Sequence, residues 1–155
     1  MPTAHVFGPY SQKPNHAYEL LFCAIMNSLV VDFVLRQRVT AHLTYFLLNQ
    51  LPIPRVIESD PDFRPIVERS ARLVCTTPEF DDLAQEIGLK NHKQGVTDPA
   101  KRAQLRAELD GLIAHLYSLT EPEFTHILAS FPLVPDPVKV AARNAYRDVE
   151  RGLIR

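Results

Sequence analysis

With 155 residues, 46% of them apolar and 23% charged, the chain suits one folded domain or two small helical lobes sharing a core, and its composition excludes a disordered protein. Thirteen prolines against five glycines point to stiff helix starts and connectors, and argue against the flexible loops that cradle phosphates. The net charge of −1 conceals a segregation: residues 1–57 carry four basic and two acidic side chains, 58–98 five and nine, 99–135 three and four, and 136–155 five and three.

Residues 1–16 hold Pro2, Pro9 and Pro14 without any period and are expected to be an irregular lead-in. From 17 to 38, apolar residues surround nearly a whole helix, sparing a stripe of Ser28, Asp32 and Arg36. This predicts one central helix, buried on most sides, with Asp32 and Arg36 in the favourable i,i+4 orientation. The apolar stretch 20–35 contains Asn27, Ser28 and Asp32, so it is too short and too polar for a membrane span. Residues 41–48 fit either a short strand or a continuing helix. Pro52 and Pro54 impose extended backbone on Leu51 and Ile53, which favours the strand.

Pro65 is positioned to open a helix to about Cys75, with Ile66, Val67, Ser70 and Val74 on one face. Thr77-Pro78 reads as a cap and first turn, and Gly88 as that helix's C-terminal stop. Residues 89–97 form a polar loop and the best candidate for a lobe boundary. Asp98-Pro99 starts a long helix whose seam is Leu105, Leu109, Leu112, Leu116 and Leu119. Thr120 and Glu123 form a capping box, with Leu119 able to staple Phe124. Phe124, Ile127, Leu128 and Phe131 follow as an apolar face closed by Pro132. Asp136-Pro137 caps a last helix with Val138, Ala141, Ala142, Ala145 and Val149 as its apolar face.

The expected fold is therefore mainly α: about six helices with a short β element near 41–53. Its parts are the lead-in 1–16, a lobe at 17–88 built on the central apolar helix, and a helical lobe at 98–155, with the lobes separate or on one shared core.

Chemistry is harder to place. The six histidines are scattered without ligand spacing, so no metal-ligating residues are assigned. His115, beside the leucine seam, reads as a satisfied core-edge histidine. Cys23 and Cys75 are isolated in apolar helical contexts and read as two buried, reduced thiols. No Gly-x-Ser-x-Gly, activated cysteine or glycine-rich nucleotide loop is present, and no catalytic or cofactor-binding residue is assigned. Two basic clusters are candidates for DNA contact. Arg36, Arg38 and His42 form one. Lys139, Arg143, Arg147 and Arg151, recurring every four residues on the last helix, form the other. A solvated face, or salt bridges to the acidic middle, is the favoured account of the second, because charge runs alone are weak evidence.

Several segments, in order, resemble one family. Asn27-Ser28-Leu29-Val30-Val31-Asp32-Phe33 with Arg36-Gln37-Arg38 is similar to a block of an Asn-Ser pair, an apolar stretch, Asp and an Arg-Gln pair. Gln50-Leu51-Pro52-Ile53-Pro54 is similar to the segment that follows it, and residues 72–80 to a further block. Residues 105–120 and 123–132 resemble the closing segments. The family is the large N6-adenine DNA methyltransferases of restriction–modification and phage-defence systems, and the likeness is to the tail of their C-terminal target-recognition region.

The resemblance implies a parent enzyme that uses S-adenosylmethionine and flips an adenine out of the duplex. The family's Asn/Asp-Pro-Pro-Tyr/Phe catalytic motif and its cofactor motif are missing here. The expectation is thus a cytoplasmic, non-catalytic C-terminal domain that holds no cofactor itself. It would support recognition of double-stranded DNA or dock to the methyltransferase catalytic module. The alternative is a helical protein–protein module without DNA contact.

Overall fold

A computed structural model describes residues 15–38 and 44–155. Among these are eight α-helices: α1 (His16–Met26), α2 (Leu29–Arg38), α3 (Tyr45–Leu48), α4 (Phe63–Val74), α5 (Asp81–Glu86), α6 (Pro99–Leu116), α7 (Glu121–Ala129) and α8 (Asp136–Glu150). Two 3-10 turns, Pro78–Phe80 and His92–Gln94, flank α5. The mainly helical fold is as expected. The β element is not: the described residues contain no strand, and Tyr45–Leu48 is a single helical turn. Around Pro52 the chain turns, with the Ile53 N–H donating to the Leu51 carbonyl (2.8 Å), and no described residue pairs with this segment as a strand. Residues 39–43, including part of that expected element, lie outside the described residues.

The central helix expected over 17–38 is two helices bent by 65° at Asn27-Ser28. The reason is local. The Asn27 backbone N–H and its Nδ2 both donate to the Cys23 carbonyl, closing α1. Ser28 Oγ donates to the Ile25 carbonyl (2.7 Å) and accepts from the Val31 N–H (3.2 Å), opening α2 as its N-cap. The Asn-Ser pair inside an apolar run is helix punctuation. No single helix among the described residues is long and apolar enough to cross a membrane.

α4 begins at Phe63, two residues before Pro65. Proline sits at the third helical position without penalty, because the N–H groups of the first turn have no intrahelical acceptor. Phe63, Ile66, Val67, Ser70 and Ala71 are buried, and Ser70 Oγ donates to the Leu20 carbonyl of α1. Thr77 makes no side-chain cap bond, and Pro78 opens a 3-10 turn before α5. Gly88 does stop α5: its φ is +90°, and the Leu89 N–H reaches back to the Ala84 carbonyl. The segment 89–97 is bonded to the end of α4, through the Val96 N–H to the Arg72 carbonyl (2.7 Å) and through Arg102, which donates to the carbonyls of Leu73 and Val96.

The C-terminal half follows its local signals closely. Asp98 accepts from the Lys101 N–H at the start of α6. Thr120 and Glu123 form both halves of the capping box on α7. Thr120→Ala is expected to lose about 1 kcal/mol of stability in urea unfolding, since the N-terminal N–H of Glu123 then has no cap. Along the leucine seam Leu105, Leu109 and Leu112 are buried, while Leu116 and Leu119 are half-buried against the core. α8 departs from expectation. Pro135, not Asp136, stands at its cap, and Ala142, Ala145 and Tyr146 are its buried residues, whereas Val138 and Ala141 stay exposed. Tyr146 sets that rotation: its ring stacks on His115 at 4.1 Å and its hydroxyl donates to the Leu119 carbonyl.

Buried side chains from α1, α2, α4, α6, α7 and α8 form one contiguous cluster from Leu20 to Tyr146. Phe124, Leu21, Ile25, Ile66, Leu112 and Ile113 are its largest fully enclosed members. The ion pair Arg69–Glu108 (2.7 Å), largely shielded from solvent, fastens α4 to α6. Cys75 is buried as expected, and burial pushes its thiol up. Cys23 is exposed, because it lies on the face of α1 opposite the packed residues Leu20, Leu21, Ala24 and Ile25.

Candidate docking groove

A concavity of about 1060 Å³ is bounded by the end of α1, the α1–α2 junction, α4, α6 and α8. Small and apolar side chains dominate its walls: Ala100, Ala103 and Ala107 from α6, Ala141 and Val138 from α8, Leu73 and Val74 from α4. Cys23 and Asn27 stand at the α1 edge. Val138 and Ala141, the residues of α8 left exposed by its rotation, belong to this surface.

Asp110 lines the groove and is only 9% exposed. Its Oδ1 accepts from the Leu29 N–H (2.8 Å), the first backbone donor of α2. Burial raises the carboxyl to about 7, and the Leu29 hydrogen bond offsets only part of that shift. The nearby ionisable groups do not neutralise it. Glu108 is held by Arg69 and Gln104, Arg102 by carbonyls, and Arg106 Nε by the Arg102 carbonyl at 3.4 Å. A carboxyl retained in this position costs stability and is a functional-site signature.

The DNA-contact candidates are placed as follows. Arg36 forms a two-pronged bond to Asp32 (3.1 and 3.0 Å) and lies 4.8 Å over the Phe131 ring. Arg38 donates to the Gln50 carbonyl. His42 lies outside the described residues. Lys139 is mostly shielded, 3.8 Å from the Asp136 carboxylate. Arg143 has its Nε buried without a hydrogen-bond partner. Arg147 grips Glu121 at 2.6 Å, and this bond, with Arg143 and Arg151 adding charge, holds the Glu121 carboxyl below its usual range. Arg151 is exposed. The two clusters both touch α7 or its ends, Arg36 at Phe131 and Arg147 at Glu121.

Among the described residues, no group of three or more His, Cys, Asp or Glu side chains is arranged to hold a metal ion. His115 Nε2 lies 3.0 Å from the Tyr146 carbonyl and is a core-edge histidine. Elsewhere, His16 pairs with Glu86 and His92 with Asp81, at 2.6 and 2.7 Å. Sequence reasoning weighs Asp110 only as a partner for His115, five residues on, and assigns it no role because their side chains diverge. The available signal was a carboxylate set between seam positions Leu109 and Leu112, where a helix faces its core.

Comparison of the chain with protein families, with curated proteins and with solved structures finds no match.

Proposed function

We propose that the chain is a non-catalytic helical domain of an N6-adenine DNA methyltransferase and that it docks to the catalytic module through the groove between α1, α4, α6 and α8. The parentage is supported by the ordered segments between Asn27 and Pro132 that resemble the C-terminal region of those enzymes. The docking role rests on one observation: an apolar groove of about 1060 Å³ lies open, while most of the candidate DNA-binding cations are occupied by partners within the chain. An open apolar concavity of this size is a site for association.

The test is association of the purified chain with the adjoining methyltransferase module, followed by calorimetry. Binding is expected to weaken at least about tenfold with Ala141→Glu, which places a charge on an exposed groove wall, a change of about 1.4 kcal/mol. Absence of association by the wild-type chain overturns the reading.

A second reading, DNA contact, is favoured by the convergence of both basic clusters on α7. It requires duplex affinity that falls steeply with salt and drops with Arg151→Glu. Duplex affinity indifferent to that substitution leaves the docking role alone.

A further inference from the structure

On α6, Ala100, Ala103, Ala107 and Asp110 follow one another at steps of three, four and three, which puts them on a single face of the helix. All four line the groove, and they pass from exposed Ala100 and Ala103 to buried Ala107 and Asp110, so the floor deepens towards the carboxyl. Small residues along such a face let another backbone approach closely. The carboxyl at its deep end has one oxygen committed to the Leu29 N–H. Its other oxygen, Oδ2, has no protein partner among the described residues. Among the described residues the fully enclosed unpaired side-chain atoms are Tyr117 Oη and Arg143 Nε, so Oδ2 keeps some contact with solvent, and Asp110 lines the groove.

We propose that the groove seats an apolar helix of a partner protein carrying one lysine or arginine, whose cationic head meets Asp110. This rests on the docking role proposed above and names what the groove selects. Charge complementarity supplies the choice of occupant. Of the ionisable groups facing the groove, Arg102 is consumed by two carbonyls and Glu108 by Arg69. Asp110 Oδ2 and the Asp148 carboxylate are open acceptors, against a single rim cation, Arg106. An apolar helix without a donor would seal Oδ2 away from water with no bond, which is penalised. A cation both satisfies the oxygen and restores the charge-bearing form of the carboxyl. Raising the pH through about 7 ionises the free Asp110, so affinity for the cationic helix increases in that direction.

Two probes test this: an amphipathic alanine–leucine helix of about 18 residues with one lysine on its apolar face, and the same peptide with norleucine there. Peptide affinity is measured by fluorescence anisotropy, and occupancy is checked independently by the rate at which the exposed Cys23 is alkylated. The lysine peptide is expected to bind about tenfold more tightly at pH 8, to lose most of that advantage by about pH 5.5, and to slow Cys23 alkylation. Asp110→Asn, which keeps the acceptor for Leu29, is expected to erase the difference between the peptides. Ala103→Leu, which leaves Asp110 untouched, is expected to weaken both. Equal affinity of the two peptides, a difference that survives Asp110→Asn, or binding of neither overturns the inference. Association with the methyltransferase module that is insensitive to Asp110→Asn also overturns it, while leaving the docking role in place.

Discussion

Asp110→Asn is expected to stabilise the protein at alkaline pH, the reverse of what removing a hydrogen-bonded charge usually does. The unfolded carboxyl titrates near 4 and the folded one at about 7. Between those values the folded state binds more protons than the unfolded state, so stability is fully present below about pH 4 and falls as the pH rises through about 7. Three units correspond to roughly 4 kcal/mol, a figure that already contains what the Leu29 hydrogen bond at the start of α2 returns. Asparagine keeps the acceptor for the Leu29 N–H and has no charge to bury. The variant is therefore expected to gain about 4 kcal/mol over wild type at pH 8 and to be nearly neutral at pH 4, measured by urea unfolding across that range. Wild-type and variant curves that run parallel in pH would show that Asp110 is not held in its neutral form. Such a cost, carried at a groove floor, is expected where a group is kept for binding and not for folding.

Gly111→Ala is expected to destabilise by about 3 kcal/mol, although it replaces the poorest common helix former but proline with the best one. Two effects of opposite sign meet at this residue. In an exposed helix the exchange would gain about 1 kcal/mol. Here an added methyl group would stand 2.7 Å from the Tyr146 nitrogen and 2.8 Å from the Ala145 carbonyl carbon. Both are backbone atoms, so no side chain can turn aside, and α8 itself must move away from α6. Tyr146 resists that movement at two points, its ring on His115 and its hydroxyl on the Leu119 carbonyl. The clash wins because it is spread over the most extensive helix–helix contact in the fold. Urea midpoints decide the matter, and a variant more stable than wild type would show that the two helices can part without loss.

Much of the helical framework was legible residue by residue. The caps at Asp98 and Thr120, the stop at Gly88, the Asp32–Arg36 pair and the buried faces of α6 and α7 all depend on groups within a turn or two of one another. The break at Asn27-Ser28 was legible in principle as well. Ser28 is a good N-cap, but inside an apolar run its capping role was masked by the periodicity around it. The exposure of Cys23 follows from that same oversight. A single helix apolar on all sides would bury it, whereas α1 alone has an outward face.

The candidate site was far less visible. The groove exists because α8 turns Tyr146 and Ala142 inward and leaves Val138 and Ala141 outside, and that rotation is set by His115 and Leu119 on other elements. The basic stripe on α8 was plain in the sequence. That Arg147 spends its guanidinium on Glu121 was not, since 26 residues separate them. Asp110 looked like one more charge on a long helix until α2 brought the Leu29 N–H to it across 81 residues.

The sequence by itself determined the helical class, most helix ends and the leucine seam, because caps, prolines and apolar spacing act through bonds and contacts that close within a few residues. Only the tertiary structure decided which face of α8 is buried, which cations are free, and that a carboxyl pushed up by burial lies at the floor of an open groove. Those are properties of remote backbones meeting, and the energy that sets them, desolvation and packing between elements, has no local trace in the order of the residues.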